Sequence, residues 1–293
     1  MWYFFAATSA FLYAFRGILE KKIVGHTNKY ILGFAIRLFA LPFFLIPFIF
    51  YPELLIAPSQ LTINFWLPII LICFVMTPLE TIFYYEALKE EELSLALPIL
   101  SLAPIITIFA AAGLFREFPS FVGFLGIILI LVGIYALKIN YVHEGILAPL
   151  KHLRKSRGVQ LMLVVMISLG FGSILDKIAL TASNAFFFAA VNYLLLCCTL
   201  FILTWFKARR HFGQLITHYR AFSVLGMFVA GYTIFYLLAL QSGVTSYVLA
   251  IKNASILFTI IFSLIILKEK NRGPKLLAAA LIFIGLLCIK VFG

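Results

Sequence analysis

The side chains able to do chemistry in this chain are the ionisable groups set inside long apolar runs. Lys252 lies well inside the run 245–267, with Asn253 and Ser255 close behind it. An ammonium there needs a carboxylate, a carbonyl or an anionic guest, unless its stem carries the charge out to the interface. Arg37 lies ~10 Å inside the run 30–50 at 1.5 Å per residue, and Glu80 stands at similar depth in 66–88. The two can pair across adjacent helices. As functional groups, Glu80 would couple protons and Arg37 would anchor an anion. As structural groups, they would form a buried pair that sets helix register. Pro78, next to Glu80, opens the helix and exposes polar backbone there. Arg16, near the end of the run 2–19, either snorkels or turns inward.

Other candidates surround these charges. The run 93–115 carries Pro98, Ser101 and Pro104. Each proline removes a backbone hydrogen bond and can kink its helix. The freed carbonyls then face protein or a wet cavity, unless the kink serves packing alone. Tyr84 and Tyr236 belong near opposite membrane faces. They would close two mouths in turn as gates, or simply anchor helices as aromatic-belt residues. Asn192, Tyr193 and Tyr232 either line a site or hydrogen-bond between helices. The sequence contains no G-x-x-x-x-G-K-[ST], no HExxH and no acidic calcium loop, so neither an ATP-driven pump nor an enzyme is expected. The four cysteines lack CxxC spacing and the five histidines fall in loops. No metal site and no cofactor is therefore expected.

Ten apolar runs must position these residues. They are 2–19, 30–50, 66–88, 93–115 and 120–138, then 159–180, 184–205, 221–241, 245–267 and 274–291. The chain is 64% hydrophobic and 12% charged, whereas a soluble domain carries roughly a quarter charged residues. Its mean hydropathy is +1.11. Lipid is its solvent, and each run is long enough to cross ~30 Å of hydrocarbon as a helix. The first run has no basic stretch ahead of it and reads as a span rather than a cleaved leader. A formal charge of +12 would suggest nucleic acid on a soluble protein. Here the cations cluster at the ends of runs, and no nucleic-acid partner is expected.

The runs are one unit written twice. Thr81–Leu88 reads TIFYYEAL and Thr233–Leu240 reads TIFYLLAL, an offset of 152. The same offset joins Ser94 to Ser246, Thr107 to Thr259, Glu117 to Glu269 and Gly133 to Gly285. Nearer the start of each copy it becomes 156, joining Gly17–Lys21 to Ser173–Lys177, and 155 for Arg37 and Asn192. Glu20-Lys21 and Asp176-Lys177 should end the first helix of each copy. With five spans per copy, the second must sit upside down relative to the first. The expected fold is an all-α membrane protein: ten transmembrane helices, arranged as two inverted five-helix repeats around a central cavity. The copies are 1–139 and 159–293, joined by a basic cytoplasmic linker, 140–158. Alternating the spans puts 17 Lys and Arg on one side and 3 on the other (Arg116, Lys177 and Lys290). The positive side should be cytoplasmic, which puts both termini outside.

In this order and duplication the motifs resemble the drug/metabolite transporter superfamily, specifically its EamA-type ten-helix transporters. Carrying the resemblance are Ala35-Ile-Arg37-Leu-Phe-Ala40, Tyr84-Tyr-Glu-Ala-Leu88, Pro104, Arg116-Glu117, Gly126 and Gly133 in the first copy. Tyr236-Leu-Leu-Ala-Leu240, Lys268-Glu269 and Gly285 answer them in the second. The resemblance covers nearly the whole chain. It implies that helices one, three, four, six, eight and nine line the cavity while five and ten pack at the periphery. It also implies transport of metabolites, amino acids, nucleotide sugars or toxic solutes. Ten-span relatives usually keep both termini in the cytoplasm, so the charge bias here departs from the family pattern.

Together these features point to a secondary active transporter in a bacterial or archaeal cytoplasmic membrane, working by alternating access. The in-span cations Arg16, Arg37 and Lys252 favour a small polar or anionic metabolite: an amino acid, an organic acid or a phosphorylated metabolite. Coupling to protons or to a counter-substrate is expected, in a monomer or a homodimer. The alternatives are an exporter of hydrophobic cations, resting on Glu80, and a flippase or accessory subunit for lipid-linked sugars.

Overall fold

A computed structural model describes residues 1–24, 27–90, 99–100, 102–139, 156–266 and 273–292. Regular structure among the described residues is helical throughout. The first copy holds α1 (Trp2–Val24), α2 (Lys29–Phe50), α3 (Ile63–Ile70), α4 (Thr77–Glu90), α5 (Ala103–Phe115) and α6 (Phe121–Ile139). The second holds α7 (Arg157–Thr181), α8 (Ala185–Ala208), the short α9 (Gly213–Thr217), α10 (Tyr219–Ser242), α11 (Thr245–Asn253), α12 (Ser255–Ile266) and α13 (Gly273–Phe292). Helix lies over each of the ten apolar runs. Among the described residues, five stretches are long and apolar enough to cross a membrane: Lys29–Phe50, Ile63–Tyr84, Arg157–Thr181, Ala185–His211 and Tyr219–Ser242.

Side chains set several of these ends. Asn28 caps α2 by accepting from the Tyr30 N–H, and Asn184 caps α8 by accepting from Phe187 N–H, satisfying amides that the helix leaves orphaned. Between α3 and α4 the chain widens into a π turn, Leu71–Met76. It immediately precedes Thr77-Pro78, where the proline ring would crowd the carbonyl of an ordinary preceding turn. The basic linker 140–158 lies largely outside the described residues, as do Pro98 and Ser101.

The first helices run past the polar pairs expected to end them. Glu20-Lys21 lies inside α1, and Asp176-Lys177 inside α7. Glu20 is bonded back to Arg16 one turn earlier, and an i,i+4 ion pair supports a helix rather than stopping it. The second copy's helix stops at Thr181, where side chains take over the backbone. Thr181 Oγ1 donates to the Ile178 carbonyl and Ser183 Oγ to that of Ala179.

The helices sort into two compact units, and each draws on both copies. One comprises Met1–Pro78 with Leu175–Ser242, the other Leu79–Ile174 with Gly243–Gly293.

In the first unit, α1 lies against α10, while α2 packs on α8 and α10. Ring contacts fix the direction of the α1–α10 pair: Phe5 meets Phe235, Tyr13 meets Tyr232 and Phe15 meets Phe228. Residue numbers rise on one helix as they fall on the other, so the pair is antiparallel. The repeat-equivalent helices α2 and α8 are antiparallel too. Thr204 Oγ1 donates to the Tyr30 carbonyl, Phe34 meets Phe201, and Phe44 meets Tyr193. A Cβ on Gly226 would lie 2.4 Å from the Phe39 backbone, so only glycine permits the α2–α10 approach.

In the second unit the closest pairing joins α6 to α13, again repeat equivalents. A Cβ on Gly126 would meet the Gly285 carbonyl at 2.8 Å, and one on Gly133 would meet the Ala278 carbonyl at 2.9 Å. At the offset of 152, Gly126 corresponds to Ala278 and Gly133 to Gly285. Each small residue thus faces the twin of the other. That reciprocity belongs to a contact with two-fold symmetry, and the order of the contacts makes the helices antiparallel. With no hydrophobic force between helices in lipid, such backbone approach is what small residues supply.

Candidate functional site

A guanidinium among tyrosines

In the first unit Arg16 reaches across from α1 to α10. Its guanidinium lies 5.5 Å from the Tyr13 ring centroid and 5.9 Å from that of Tyr232. Those two rings meet edge to face at 5.1 Å, and Tyr193 of α8 stands near the same charge. Arg16 Nη2 pairs with Glu20 Oε2 at 2.7 Å. The side chains are only 16% and 26% exposed, so this is not an ordinary surface pair. Arg16 Nε is buried without a hydrogen-bond partner. Stacking on aromatic faces and a planar donor edge are properties of arginine that lysine lacks.

Other predicted residues fall close by. The Tyr193 hydroxyl shares a 2.9 Å hydrogen bond with Thr233 Oγ1, and Tyr232 stands beside it. Arg37 lies near Tyr193 and donates from Nη1 to the Gly33 carbonyl of its own helix at 3.1 Å. Asn192 is buried and accepts on Oδ1 from Cys73 Sγ, 3.0 Å away. Cys73 lies within the π turn. Five residues chosen from scattered runs (Arg16, Arg37, Asn192, Tyr193 and Tyr232) therefore share one unit. Tyr13 and Glu20 complete the arrangement around Arg16. Both sit one helical turn or less from it in sequence, and that i,i+3/i,i+4 spacing was the available signal.

Twin breaks in the fourth and ninth runs

In the second unit the ninth run is not one helix. Helix α11 ends at Asn253, Ala254 forms a turn with ψ −2°, and α12 begins at Ser255. The first copy does the same at Leu102, where ψ is −3°. Leu102 and Ala254 are equivalent at the offset of 152, and even their turn bonds match. Ile105 N–H donates to the Leu102 carbonyl at 3.0 Å, and Leu257 N–H to that of Ala254 at 2.9 Å. Lys252 and Asn253 occupy the last turn of the half-helix α11, where exposed carbonyls favour a cation. Lys252 is half-buried. Pro104 is buried in the first turn of α5, but its counterpart is Ile256. A proline is thus no requirement for the break. In the second copy Asn253 and Ser255 flank the turn, and such side chains compete with helical backbone.

Glu80, on α4, accepts a 2.7 Å hydrogen bond from Ser168 of α7. Each of Glu80 and Arg37 thus has a partner within its own unit. At the offset of 152 Glu80 corresponds to Tyr232, and the Ser168 contact corresponds to the meeting of α1 with α10. Tyr84 packs beside Ala87, Ala103 and Met162, while Tyr236 is buried within the first unit. The Arg116-Glu117 motif has a structural task. Arg116 takes a left-handed conformation, φ 56°, that ends α5, and Glu117 accepts from the Thr245 N–H that opens α11.

Relation to known proteins

Apolar helices long enough to span, close small-residue crossings and costly charges inside the runs define an integral membrane protein of the polytopic helical class. The chain belongs to the EamA-like transporter family, whose model matches it twice, over residues 1–138 and 156–291. It is therefore a membrane transporter of the drug/metabolite transporter type, built of two EamA repeats. One solved crystal structure is similar over 98% of this chain and 96% of its own, with a TM-score of 0.78 and 14% identity. That likeness concerns the fold. No curated protein matches the chain.

Proposed function

We propose that this transporter is a secondary carrier of a small polar or anionic metabolite, such as an amino acid, an organic acid or a phosphorylated metabolite, working by alternating access. In this reading ten spans form two inverted five-helix repeats around a central cavity, as copies 1–139 and 159–293. The antiparallel crossings of α2 with α8 and of α6 with α13 support the inversion, because inverted copies lay equivalent helices head to tail. Both termini face outward, away from the cytoplasm. The observation that carries the substrate class is Arg16, a guanidinium held away from water with one donor unmet. A permanent charge inside a membrane segment is costly. Its retention in the same unit as Arg37 favours a negatively charged guest. Glu80 is the carboxylate assigned to proton coupling, and Lys252, at its helix break, is a second anchor.

The test is flux in proteoliposomes with a proton-sensitive dye, challenged with carboxylates, phosphate esters and quaternary amines in turn. The expected result is flux of an acidic solute, lost in Arg16→Gln. Flux of quaternary amines dependent on Glu80 would instead make the protein an exporter of hydrophobic cations. Lipid scrambling without solute flux would make it a flippase.

A further inference from the structure

The Arg16–Glu20 pair is half made. In a guanidinium, Nε and Nη2 present two parallel N–H groups along one edge, the edge that a carboxylate grips with both oxygens. Glu20 takes the Nη2 arm at 2.7 Å, while the Nε arm is buried and unpartnered. An unmet buried donor on a charged group costs more than an ordinary lost hydrogen bond, so the open arm favours a second acceptor. The geometry explains the shortfall. Glu20 lies one turn along the same helix as Arg16, and its tether brings one oxygen to the edge. The Tyr13 and Tyr232 rings flank the guanidinium and Tyr13 also hydrogen-bonds to it, yet the Nε arm stays unmet.

We propose that Glu20 is a resident stand-in for the carboxylate of the transported solute, holding the Arg16 edge until the solute displaces it and grips both arms. This rests on the anionic-substrate reading above and adds the identity of the group that the substrate must displace. Displacement keeps a carboxylate on the Arg16 edge throughout, Glu20 swinging aside on its own helix as the solute arrives. The guanidinium is therefore never left bare in a low-dielectric setting, where a lone charge is most costly. The cost of this protection is affinity. A competitor that holds the edge about nine-tenths of the time weakens apparent binding about tenfold.

The experiment uses the full chain purified in detergent, with acetate as the probe and sodium chloride holding ionic strength constant. The readout is the acetate concentration that gives half of the full rise in thermal midpoint. The expected result is half-saturation at about tenfold less acetate in Glu20→Gln than in the unmodified protein. Arg16→Gln should abolish the rise in either background. Glu20→Asp keeps the charge but shortens the reach by one methylene, and should fall between. It also serves as the reporting variant if Glu20→Gln does not fold. Equal half-saturation in the unmodified protein, Glu20→Gln and Glu20→Asp, all still lost with Arg16→Gln, would overturn the stand-in while leaving an anion site at Arg16. A rise that survives Arg16→Gln, or no rise in any variant, would overturn both readings.

Discussion

Four charged side chains singled out within the apolar runs have no charged twins. Arg16 corresponds to Gly172, Arg37 to Asn192, Glu80 to Tyr232 and Lys252 to Leu100. Where both copies share a helix position and only one carries a charge, the helix itself does not need that charge. This argues that the ionic groups were placed on the scaffold for a task. Lys252→Ala should therefore abolish solute flux while membrane insertion and thermal midpoint stay near those of the unmodified protein. Flux in proteoliposomes, read beside abundance and unfolding, checks this, and normal flux would remove Lys252 from the site. Glu80→Gln keeps an acceptor for Ser168 but cannot shed a proton. Under the coupling assignment it should uncouple solute flux from an imposed pH gradient while leaving solute exchange in place.

At the scale of helices, the fourth and ninth runs break at the same repeat position with and without a nearby proline. Replacing Pro104 by Ala should thus leave the break and most of the flux intact, because Ile256 occupies that position in an equally broken helix. Electron-paramagnetic distances between labels on either side of Leu102 would detect a straightened helix, the contrary outcome. The α6–α13 crossing has no such tolerance. Gly285→Leu would drive a side chain into the Gly126 carbonyl, which a Cβ alone would approach to 2.5 Å. Overpacking of this kind costs about 3 kcal/mol, and backbone cannot give way as a side-chain tip can. The measured effect should be a large drop in thermal midpoint, with Gly285→Ala intermediate.

For the whole molecule, orientation is set by where positive charge stays. With 17 cations assigned to one side and 3 to the other, a C-terminal fusion to an enzyme active only outside the cytoplasm should report strongly. A fusion requiring the cytoplasm should be silent. The reverse pattern would turn the protein over, and with it every statement about which mouth faces which compartment. Each compact unit takes helices from both copies, so residues 1–139 expressed alone should not fold to a stable monomer. Their α2 would lack α8 and their α6 would lack α13, exposing Gly126 and Gly133 to lipid.

Composition and periodic apolar runs were enough to locate the helices and the duplication, because a bilayer imposes one length and one backbone solution on every span. The family followed from the order of short motifs such as Arg116-Glu117 and Tyr84–Leu88. The charges worth suspecting were also legible, since an ionisable residue in an apolar run stands out on cost alone. What the runs could not reveal was pairing. Arg16 sits against Tyr232 across more than two hundred residues, and Cys73 reaches Asn192 from within a π turn that no periodicity marks. The break at Ala254 was equally hidden, because nothing in Lys-Asn-Ala-Ser forbids a helix. Interhelical contacts in lipid depend on shape and a few hydrogen bonds rather than on an apolar stripe. Such complementarity exists only between packed surfaces, so only the tertiary structure could decide it.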